Sequence, residues 1–334
     1  MKKKVLWFAK VALAAVIALS IANCFCGLYY NLPVHYSNET GATDYYWDKN
    51  HFSSRGTEGF AISRTDENGF VNTFPYTKNT IDVLVMGSSH AEGFNVNADE
   101  NFTYLLNSKF RENGLDKYVY SIGMSGHELL RCLRNLENAL AVYSPEEYVV
   151  IETPRIDFDI QDLEALNNGT YDTLHSYDSG LIYMLQKVDL FRLIYAQLTS
   201  FVRNNNAEAE QEKDEAVTVS AEYRTLLKSA MRKASEITAA NGCKLIVVYS
   251  PVLETDYNGN LINQAETPAQ QAFEAVCEEY GVGFIDMSAA YEAMYEETNR
   301  LPFGFSNTAV GAGHTNRYGH SCIAQDLYTF ITEG

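Results

Sequence analysis

The sequence predicts an α/β fold in which a parallel sheet is covered by helices. Two observations support this prediction: short apolar runs recur along the chain, and stripes of apolar residues at helical spacing separate them. The apolar runs that predict strands are 83–86, 118–122, 148–151, 245–249 and 282–285. The helical stripes fall at 102–110, 129–140 and 269–280. Strands that alternate with helices in this way form a parallel sheet with right-handed crossovers.

The composition is that of a globular protein with an acidic body. The chain has 334 residues, of which 46% are hydrophobic and 20% are charged. The formal net charge is −18. Because Lys2, Lys3, Lys4 and Lys10 all lie at the N-terminus, the rest of the chain is more acidic still. Such a body repels phosphate backbones, so nucleic acid is not an expected partner.

The N-terminal segment predicts a membrane helix. Lys2, Lys3 and Lys4 precede a largely apolar stretch, within which residues 11–28 contain no charged side chain. At about 1.5 Å per residue this run is roughly 27 Å long, close to the thickness of a bilayer core. Lysines on the short side predict a cytoplasmic N-terminus and an extracellular body. We therefore expect residues 1–28 to be a single-pass signal-anchor in the cell membrane, with a cleaved signal peptide as the alternative.

Two further regions follow the predicted anchor. Residues 29–80 are predicted to form a stalk with a small β-hairpin, because 60–62 and 70–71 flank an Asn-Gly turn signal. A pure linker is the alternative. Residues 81–334 form the main domain, with an insertion at about 157–220. Within the insertion we expect a helix over 181–202 and an acidic surface loop over 204–215.

The cysteines and histidines predict neither a metal site nor a cofactor. Cys24 and Cys26 fall in the predicted anchor, and no C-x-x-C pair occurs among the other four, which are Cys132, Cys243, Cys277 and Cys322. No histidine lies at ligand spacing from them. We expect these four cysteines to be buried small hydrophobes, with one disulfide as the alternative.

The first predicted strand ends at Gly87, and Ser88 and Ser89 follow at once. Ligands of open α/β sheets bind at the carboxyl ends of the strands, where such serines would lie. A serine becomes a nucleophile when a base activates it, and histidine is the usual base. The sequence therefore predicts a nucleophilic serine here, and a Gly-Ser turn that merely caps the strand is the alternative.

Of the seven histidines, His314 is the best candidate for the base. Its flanks are typical of a loop, it follows the fifth strand, and a helical run over 323–331 comes next. His320 falls inside that helix and is expected to be structural. His90 adjoins Ser89 and is the weaker candidate, while His127 is expected at the pocket rim or on the surface.

Four sequence blocks together resemble the SGNH/GDSL hydrolases. They are GSSHAEG at 87–93, SIGMSG at 121–126, VVIET at 149–153 and GHTNRYGH at 313–320. The resemblance covers about residues 81–334 and implies a flavodoxin-like three-layer sandwich with a five-stranded parallel sheet. It implies that Ser89 is the nucleophile and His314 the base. It also implies that the backbone N–H groups of Ser89 and Gly126 stabilise the oxyanion, without a cofactor.

The chain departs from the pattern of that family at two positions. The third block of the family supplies an Asn as an oxyanion donor, whereas Glu152 and Thr153 end this block here. The base is usually preceded by an Asp three residues upstream, a position that Gly311 occupies. We expect Ser88 N–H or Arg155 to replace the missing donor, and a carbonyl or another side chain to orient the base.

The expected function follows from the predicted anchor and the resemblance. The chain is expected to be an extracytoplasmic serine esterase or O-acyltransferase for acyl esters, above all acetyl esters, of cell-surface polysaccharide or wall polymer. Its expected partners are the membrane, the acylated glycan and proteins of envelope-polymer biosynthesis. The alternative is a catalytically weak or inactive accessory or glycan-binding subunit of an envelope polysaccharide machinery.

Overall fold

The N-terminal part of the chain is a long helix followed by a small antiparallel sheet. The computed structural model describes residues 2–31, 34–35, 46–47, 49–74, 80–171, 185, 187–198, 218–253, 255–256, 261–262, 267–308 and 310–334. The first elements are helix α1 (Lys2–Tyr29) and strands β1 (Tyr30–Asn31), β2 (Val34–His35), β3 (Tyr46–Trp47), β4 (Phe52–Arg55) and β5 (Ala61–Arg64). Strands β1, β4 and β5 form one sheet in that order, and β2 pairs with β3. Helix α1 is long and apolar enough to cross a membrane.

The main domain alternates strands and helices. Its strands are β6 (Val83–Gly87), β7 (Val119–Ser121), β8 (Tyr148–Thr153), β9 (Lys244–Tyr249), β10 (Gly283–Asp286), β11 (Phe303–Gly304) and β12 (Val310–Thr315). Its helices are α2 (Ser89–Glu92), α3 (Phe102–Glu112), α4 (Leu129–Tyr143), α5 (Ile160–Asn167), α6 (Ala221–Ala240), α7 (Pro268–Glu279), α8 (Ser288–Thr298) and α9 (Arg317–Glu333). Residues 98–100 form one 3₁₀ turn, and residues 189–198 are also helical.

Five of these strands form one parallel sheet in the order β10–β9–β8–β6–β7. Numbered along the chain this order is 2-1-3-4-5 when read from the other edge, which is the flavodoxin-like doubly wound order. The predicted fold class is therefore confirmed. The order reverses between β6 and β8, so the crevice at the carboxyl ends of these two strands is the expected ligand site.

The sheet is buried on both faces, as a parallel sheet must be. Along β6, Leu84 and Met86 join an apolar cluster with α4 to α7, whereas Val83 and Val85 join a second cluster with α3, α8 and α9. This alternation follows from the two-residue period of a strand. Of the cysteines, Cys132, Cys243 and Cys277 are buried as expected, Cys322 is half-buried, and all six are free thiols.

The predicted hairpin around the Asn-Gly pair is wrong. Strand β5 pairs with the preceding β4 instead, and the turn between them is residues 56–60. The reason is Asp66, whose carboxylate accepts hydrogen bonds from the N–H groups of Asn68 at 2.8 Å and Phe70 at 3.0 Å. The turn thus closes on a side chain rather than on a second strand. Phe70 then packs edge-on against Tyr120 in the core of the main domain.

The insertion contains more helix than the sequence predicted. Helix α5 lies near the start of the insertion, α6 follows directly after the insertion, and both helices pack on the same face of the sheet. The helix expected over 181–202 is helical at 189–198. The acidic loop expected over 204–215 lies outside the described residues.

Candidate active site

Ser88 and Ser89 lie where β6 turns into α2, at the carboxyl edge of the sheet. The turn needs Gly87, because its φ is 149° and an added Cβ would lie 2.7 Å from the carbonyl oxygen of Glu152. Ser88 is the N-cap of α2, and its hydroxyl accepts from the N–H of His90 at 3.3 Å. The same hydroxyl donates to Glu152 Oε2 at 2.9 Å. Ser88 is buried in these contacts, whereas Ser89 is only half-buried, so Ser89 is the more accessible of the two residues.

A fully buried carboxylate, Glu152, lies beneath this turn. It accepts hydrogen bonds from the hydroxyls of Ser88 and Ser250, and its Oε1 lies 3.1 Å from Nδ1 of His90. Burial by itself would raise the pKa of Glu152, but the charge of His90 and the hydrogen bonds outweigh it and lower this pKa below its usual value. Glu152 is therefore ionised at neutral pH and accepts hydrogen bonds only. It does not supply the donor that an Asn at this position would supply.

His314 lies on β12 and is paired with a carboxylate from the turn between β4 and β5. Its Nδ1 lies 2.8 Å from Glu58 Oε2, and its backbone N–H donates to Glu58 Oε1 at 3.2 Å. This approach requires glycine at position 313, where φ is 91° and an added Cβ would lie 2.8 Å from Glu58 Oε1. Glu58 thus supplies a carboxylate to His314, whereas position 311 is a glycine. With Nδ1 bound to a carboxylate, the neutral imidazole has its lone pair on Nε2.

The turn that carries Glu58 is fixed from two sides. The side chain of Asn307 accepts from Gly59 N–H at 3.0 Å and donates to the carbonyl of Gly56 at 2.9 Å. The N–H of Gly56 donates to the carbonyl oxygen of Tyr29 at 2.6 Å. The position of Glu58 therefore depends on both the end of α1 and the segment before β12.

The electrostatics of the Glu58–His314 pair suit a general base. Burial would raise the pKa of Glu58, but the hydrogen bonds and charge of His314, with a smaller effect of Arg55, lower it below its usual value. Burial lowers the pKa of His314, and the contacts with Glu58, which raise it, do not fully offset this effect. At neutral pH the carboxylate is therefore ionised and the imidazole is neutral, so His314 is able to accept a proton.

The turn of Ser89 and the strand of His314 lie side by side. The ring centroid of His90, the residue after Ser89, is 6.0 Å from that of His314 and 5.8 Å from that of Phe303. Among the described residues, the structure shows no hydrogen bond between Ser89 Oγ and His314 Nε2. Such bonds are often long in ligand-free sites and shorten when substrate binds.

The loop after β7 brings Gly126 to the same edge of the sheet. The N–H of Met124 donates to the carbonyl of Gly87 at 2.9 Å, and Ser125 Oγ bonds to the Glu92 carboxylate of α2. Gly126 is exposed and has a φ of 78°. The backbone N–H groups of Ser89 and Gly126 thus belong to two segments that are hydrogen-bonded to each other.

The other candidate residues lie elsewhere or have structural contacts. Arg155 is exposed, and its Nε lies 3.3 Å from Asp157 Oδ1. His320 is buried in α9, where its Nδ1 accepts from Phe102 N–H at 3.3 Å and burial lowers its pKa to about 3. His320 is therefore structural, as predicted. His127 is 3% exposed, so the surface alternative for it is wrong.

Sequence analysis missed Glu58 and the network around Glu152. Glu58 stands in a polar stretch far from the four blocks, and no spacing rule connects it with His314. In the sequence, Glu152 stands out only because it is found in the block where the SGNH/GDSL pattern has an Asn. The signal available in the sequence was an acidic residue directly after the apolar run 148–151, at a position where a buried strand is predicted. Among the described residues, no group of three or more His, Cys, Asp or Glu side chains is placed to hold a metal ion.

Comparisons with known proteins give similarities of fold. No family model matches the chain, and no curated protein matches it. Among solved structures, TesA is 13% identical with a TM-score of 0.40, and the match covers 75% of this chain and 98% of that chain. The esterase EstA from Pseudoalteromonas sp. is 13% identical with a TM-score of 0.39, covering 77% and 98%. The acetyl xylan esterase AlAXEase is 11% identical with a TM-score of 0.42, covering 75% and 99%.

Proposed function

We propose that this chain is a serine esterase or O-acyltransferase of the SGNH/GDSL hydrolase family. The observation that carries the proposal is the Glu58–His314 pair, whose imidazole ring lies 6.0 Å from the ring of His90, the residue after Ser89. These residues supply a nucleophile, a base and an acid that orients the base. Glu58 also provides a carboxylate for His314, which the sequence lacks at position 311, where the family usually has an Asp.

The proposed mechanism has two halves. Ser89 Oγ attacks the acyl carbonyl while His314 Nε2 takes its proton, and the ionised Glu58 stabilises the imidazolium that forms. The N–H groups of Ser89 and Gly126 bind the oxyanion. The alcohol leaves with the proton from His314, and Ser89 keeps the acyl group as an ester. Water or a sugar hydroxyl then takes that acyl group, and the proton returns to Ser89.

The proposed substrate is an acyl ester, above all an acetyl ester, of a cell-surface polysaccharide or wall polymer. A cavity of about 760 Å³ is lined by Gly59, which follows Glu58 in the chain, and by Asn316, which lies two residues after His314. Its wall includes Tyr318, whose ring lies 5.2 Å from the guanidinium carbon of Arg300. Amides, guanidinium groups and an aromatic ring suit the hydroxyls and apolar faces of a sugar.

The proposed location is the cell membrane, with the body on the outside. Helix α1 is long and apolar enough to span a bilayer, and the lysines that precede its apolar run favour a cytoplasmic N-terminus. Proteins of envelope-polymer biosynthesis and the acylated glycan are the partners that such a location implies.

One observation favours a second candidate function. Glu152 occupies the position of the third oxyanion donor, and losing one such donor costs roughly 10²–10³-fold in rate. A non-catalytic accessory or glycan-binding subunit with the same fold would tolerate this change.

Labelling with a fluorophosphonate probe separates the two functions. We expect the full-length protein in detergent to be labelled at Ser89, and the label to be absent in Ser89→Ala. The exposed Ser321→Ala on α9 is the matched control and should be labelled like the unchanged protein. Absence of label on folded, unchanged protein would favour the accessory function. Release of acetate from an acetylated polysaccharide would then identify the reaction.

A further inference from the structure

The far end of α1 is held by a short helix from the insertion. Asn23 Nδ2 donates to Asp189 Oδ2 at 3.2 Å, and Asn23 Oδ1 accepts from the N–H of Leu190 at 3.0 Å. Arg192 Nη1 reaches Asn31 Oδ1 at 2.6 Å. Because the uncharged run of α1 ends at residue 28, Asn23 lies within about 8 Å of that end. Helix 189–198 therefore starts at the depth of the bilayer interface.

This helix has an exposed apolar stripe. Along residues 188–198 the apolar side chains recur at intervals of three and four, which places them on one helix face. Its members are Val188, Phe191, Ile194, Tyr195 and Leu198, and all five are exposed. Ile194 is 47% exposed and Leu198 is 60% exposed. Asp189 and Arg192 contact the end of α1 from other positions around the same helix, so the stripe is not used in that contact.

The hairpin β4–β5 also contacts the end of α1. Ser54 Oγ donates to the carbonyl oxygen of Gly27 at 3.2 Å, and Gly56 N–H donates to Tyr29. The hairpin too carries exposed apolar side chains, which are Phe52, Phe60 and Ile62. Phe60 packs edge-on against Tyr29 at 6.1 Å. We call the exposed apolar side chains of residues 52–62 and 188–198 the collar, since both segments contact α1 where its apolar run ends.

We infer that the collar lies in the interfacial layer of the bilayer that α1 crosses, and that it holds the candidate active site at the membrane surface. The inference rests on the proposed function, because it takes α1 as a membrane anchor and Ser89, His314 and Glu58 as the site. Both parts of the collar contact residues 23–29 of α1, so the collar is continuous with the apolar surface of that helix. Amphipathic helices bury an apolar face about 5–10 Å into this layer.

The collar determines which substrates meet the site. Gly56 contacts Tyr29, and Glu58 follows two residues later, so Glu58 lies within about 7 Å of that contact along the chain. Glu58 in turn contacts His314. A site so close to the exit point of α1 favours acyl esters of a polysaccharide or wall polymer that is itself anchored in the membrane over acyl esters that diffuse freely.

The depth of single labels tests the inference. The full-length protein carries Cys24→Ser, Cys26→Ser and Cys322→Ser, and one new cysteine at Ile194→Cys or Phe60→Cys is labelled with an environment-sensitive fluorophore. Val142→Cys, at an equally exposed apolar position on α4, is the matched control. In phosphatidylcholine nanodiscs we expect blue-shifted emission at 194 and 60, with quenching by nitroxide-labelled lipids several-fold stronger than at 142.

Two results would overturn the inference. One is emission at 194 and 60 that stays as aqueous as at 142. The other is a blue shift without quenching by lipid, which means that a second copy or another protein covers the collar. Fluorophosphonate labelling of the same samples reports on the proposed function separately, since it requires only the active site.

A kinetic comparison tests the consequence for substrates. The variant Ile194→Asp/Leu198→Asp should hydrolyse a water-soluble aryl acetate at the unchanged rate. It should be several-fold slower on a long-chain aryl ester dissolved in the nanodisc. Equal effects on both esters, or no effect on either, would contradict a membrane-surface site.

Discussion

Nδ1 of His314 lies 2.8 Å from a carboxylate oxygen of Glu58, a residue that precedes it by 256 positions. The acid that orients the candidate base therefore comes from the N-terminal hairpin and not from the loop that carries the base. The hairpin is in turn hydrogen-bonded to the end of α1 through Gly56 and Tyr29. The segment that resembled a stalk thus supplies a residue of the candidate active site.

Substitution of Ser88 and of Ser89 by alanine is expected to have different effects on labelling and on stability. Ser89→Ala should abolish fluorophosphonate labelling with little change in stability, because residue 89 is only half-buried. Ser88→Ala removes an N-cap bond and a buried bond to Glu152, so it should lower the free energy of unfolding by about 1–2 kcal/mol. Labelling of Ser88→Ala should persist below its unfolding temperature. Loss of label in folded Ser88→Ala with retention in Ser89→Ala would reverse the assignment.

Glu152 is expected to matter mainly for stability. Glu152→Ala leaves three buried donors without their acceptor and should cost about 3–5 kcal/mol in thermal or denaturant unfolding. Glu152→Gln should cost less, because the amide oxygen still accepts. The exposed Glu236→Ala is the control and should stay within about 0.5 kcal/mol. A similar small cost for Glu152→Ala would show that the network is not formed.

The contribution of Glu152 has a definite pH dependence. Its pKa in the folded protein lies below its usual value, so folding favours the ionised form. The stabilisation is therefore complete above the usual pKa of Glu and is lost as pH falls through the folded-state pKa. Stability measured against pH should fall more steeply on the acid side in the unchanged protein than in Glu152→Gln. If stability fell equally steeply with pH in both proteins, the lowered pKa of Glu152 would be contradicted.

Gly313 is expected to be needed by the Glu58–His314 pair. In Gly313→Ala the new Cβ would collide with Glu58 Oε1, and an alanine would have to adopt the left-handed φ of this position. Ester hydrolysis should therefore fall at least tenfold. Gly242→Ala is the matched control, because it has a φ of 79° and no described atom within 4 Å of the added Cβ. The control should lose about 1 kcal/mol of stability and retain activity. Full activity in Gly313→Ala would contradict the contact.

The five strands of the parallel sheet could be predicted, with helices α3, α4, α7 and α9, because their signals are local. An apolar run such as 83–86 is recognisable within a few residues, and so is the stripe over 129–140. The site serines follow from the same logic, since they come directly after a strand. Helix α6 was missed although Tyr223, Leu227 and Met231 recur at helical spacing in the sequence.

The acid partner could not be predicted, because it depends on how two distant segments dock. The sequence predicted a hairpin turn at Asn68-Gly69, but there the N–H groups of Asn68 and Phe70 donate to the carboxylate of Asp66 and not to a second strand. It gave no reason to bring residues 56–60 to β12. Asn307, which fixes this turn, stands in an irregular segment without a motif. Tertiary contacts of this kind determine the candidate site, and they produce no repeating pattern in the sequence that would predict them.

The pH dependence of kcat/KM for ester hydrolysis in Glu58→Gln tests the central claim most directly. Burial lowers the pKa of His314 while Glu58 raises it, so removing the charge at position 58 should lower that pKa further. We predict an acid limb shifted to lower pH and a rate reduced by up to about 10⁴-fold. The exposed Glu67→Gln should match the unchanged protein in both respects. An unchanged rate and acid limb in Glu58→Gln would contradict the assignment of Glu58 as the residue that orients His314.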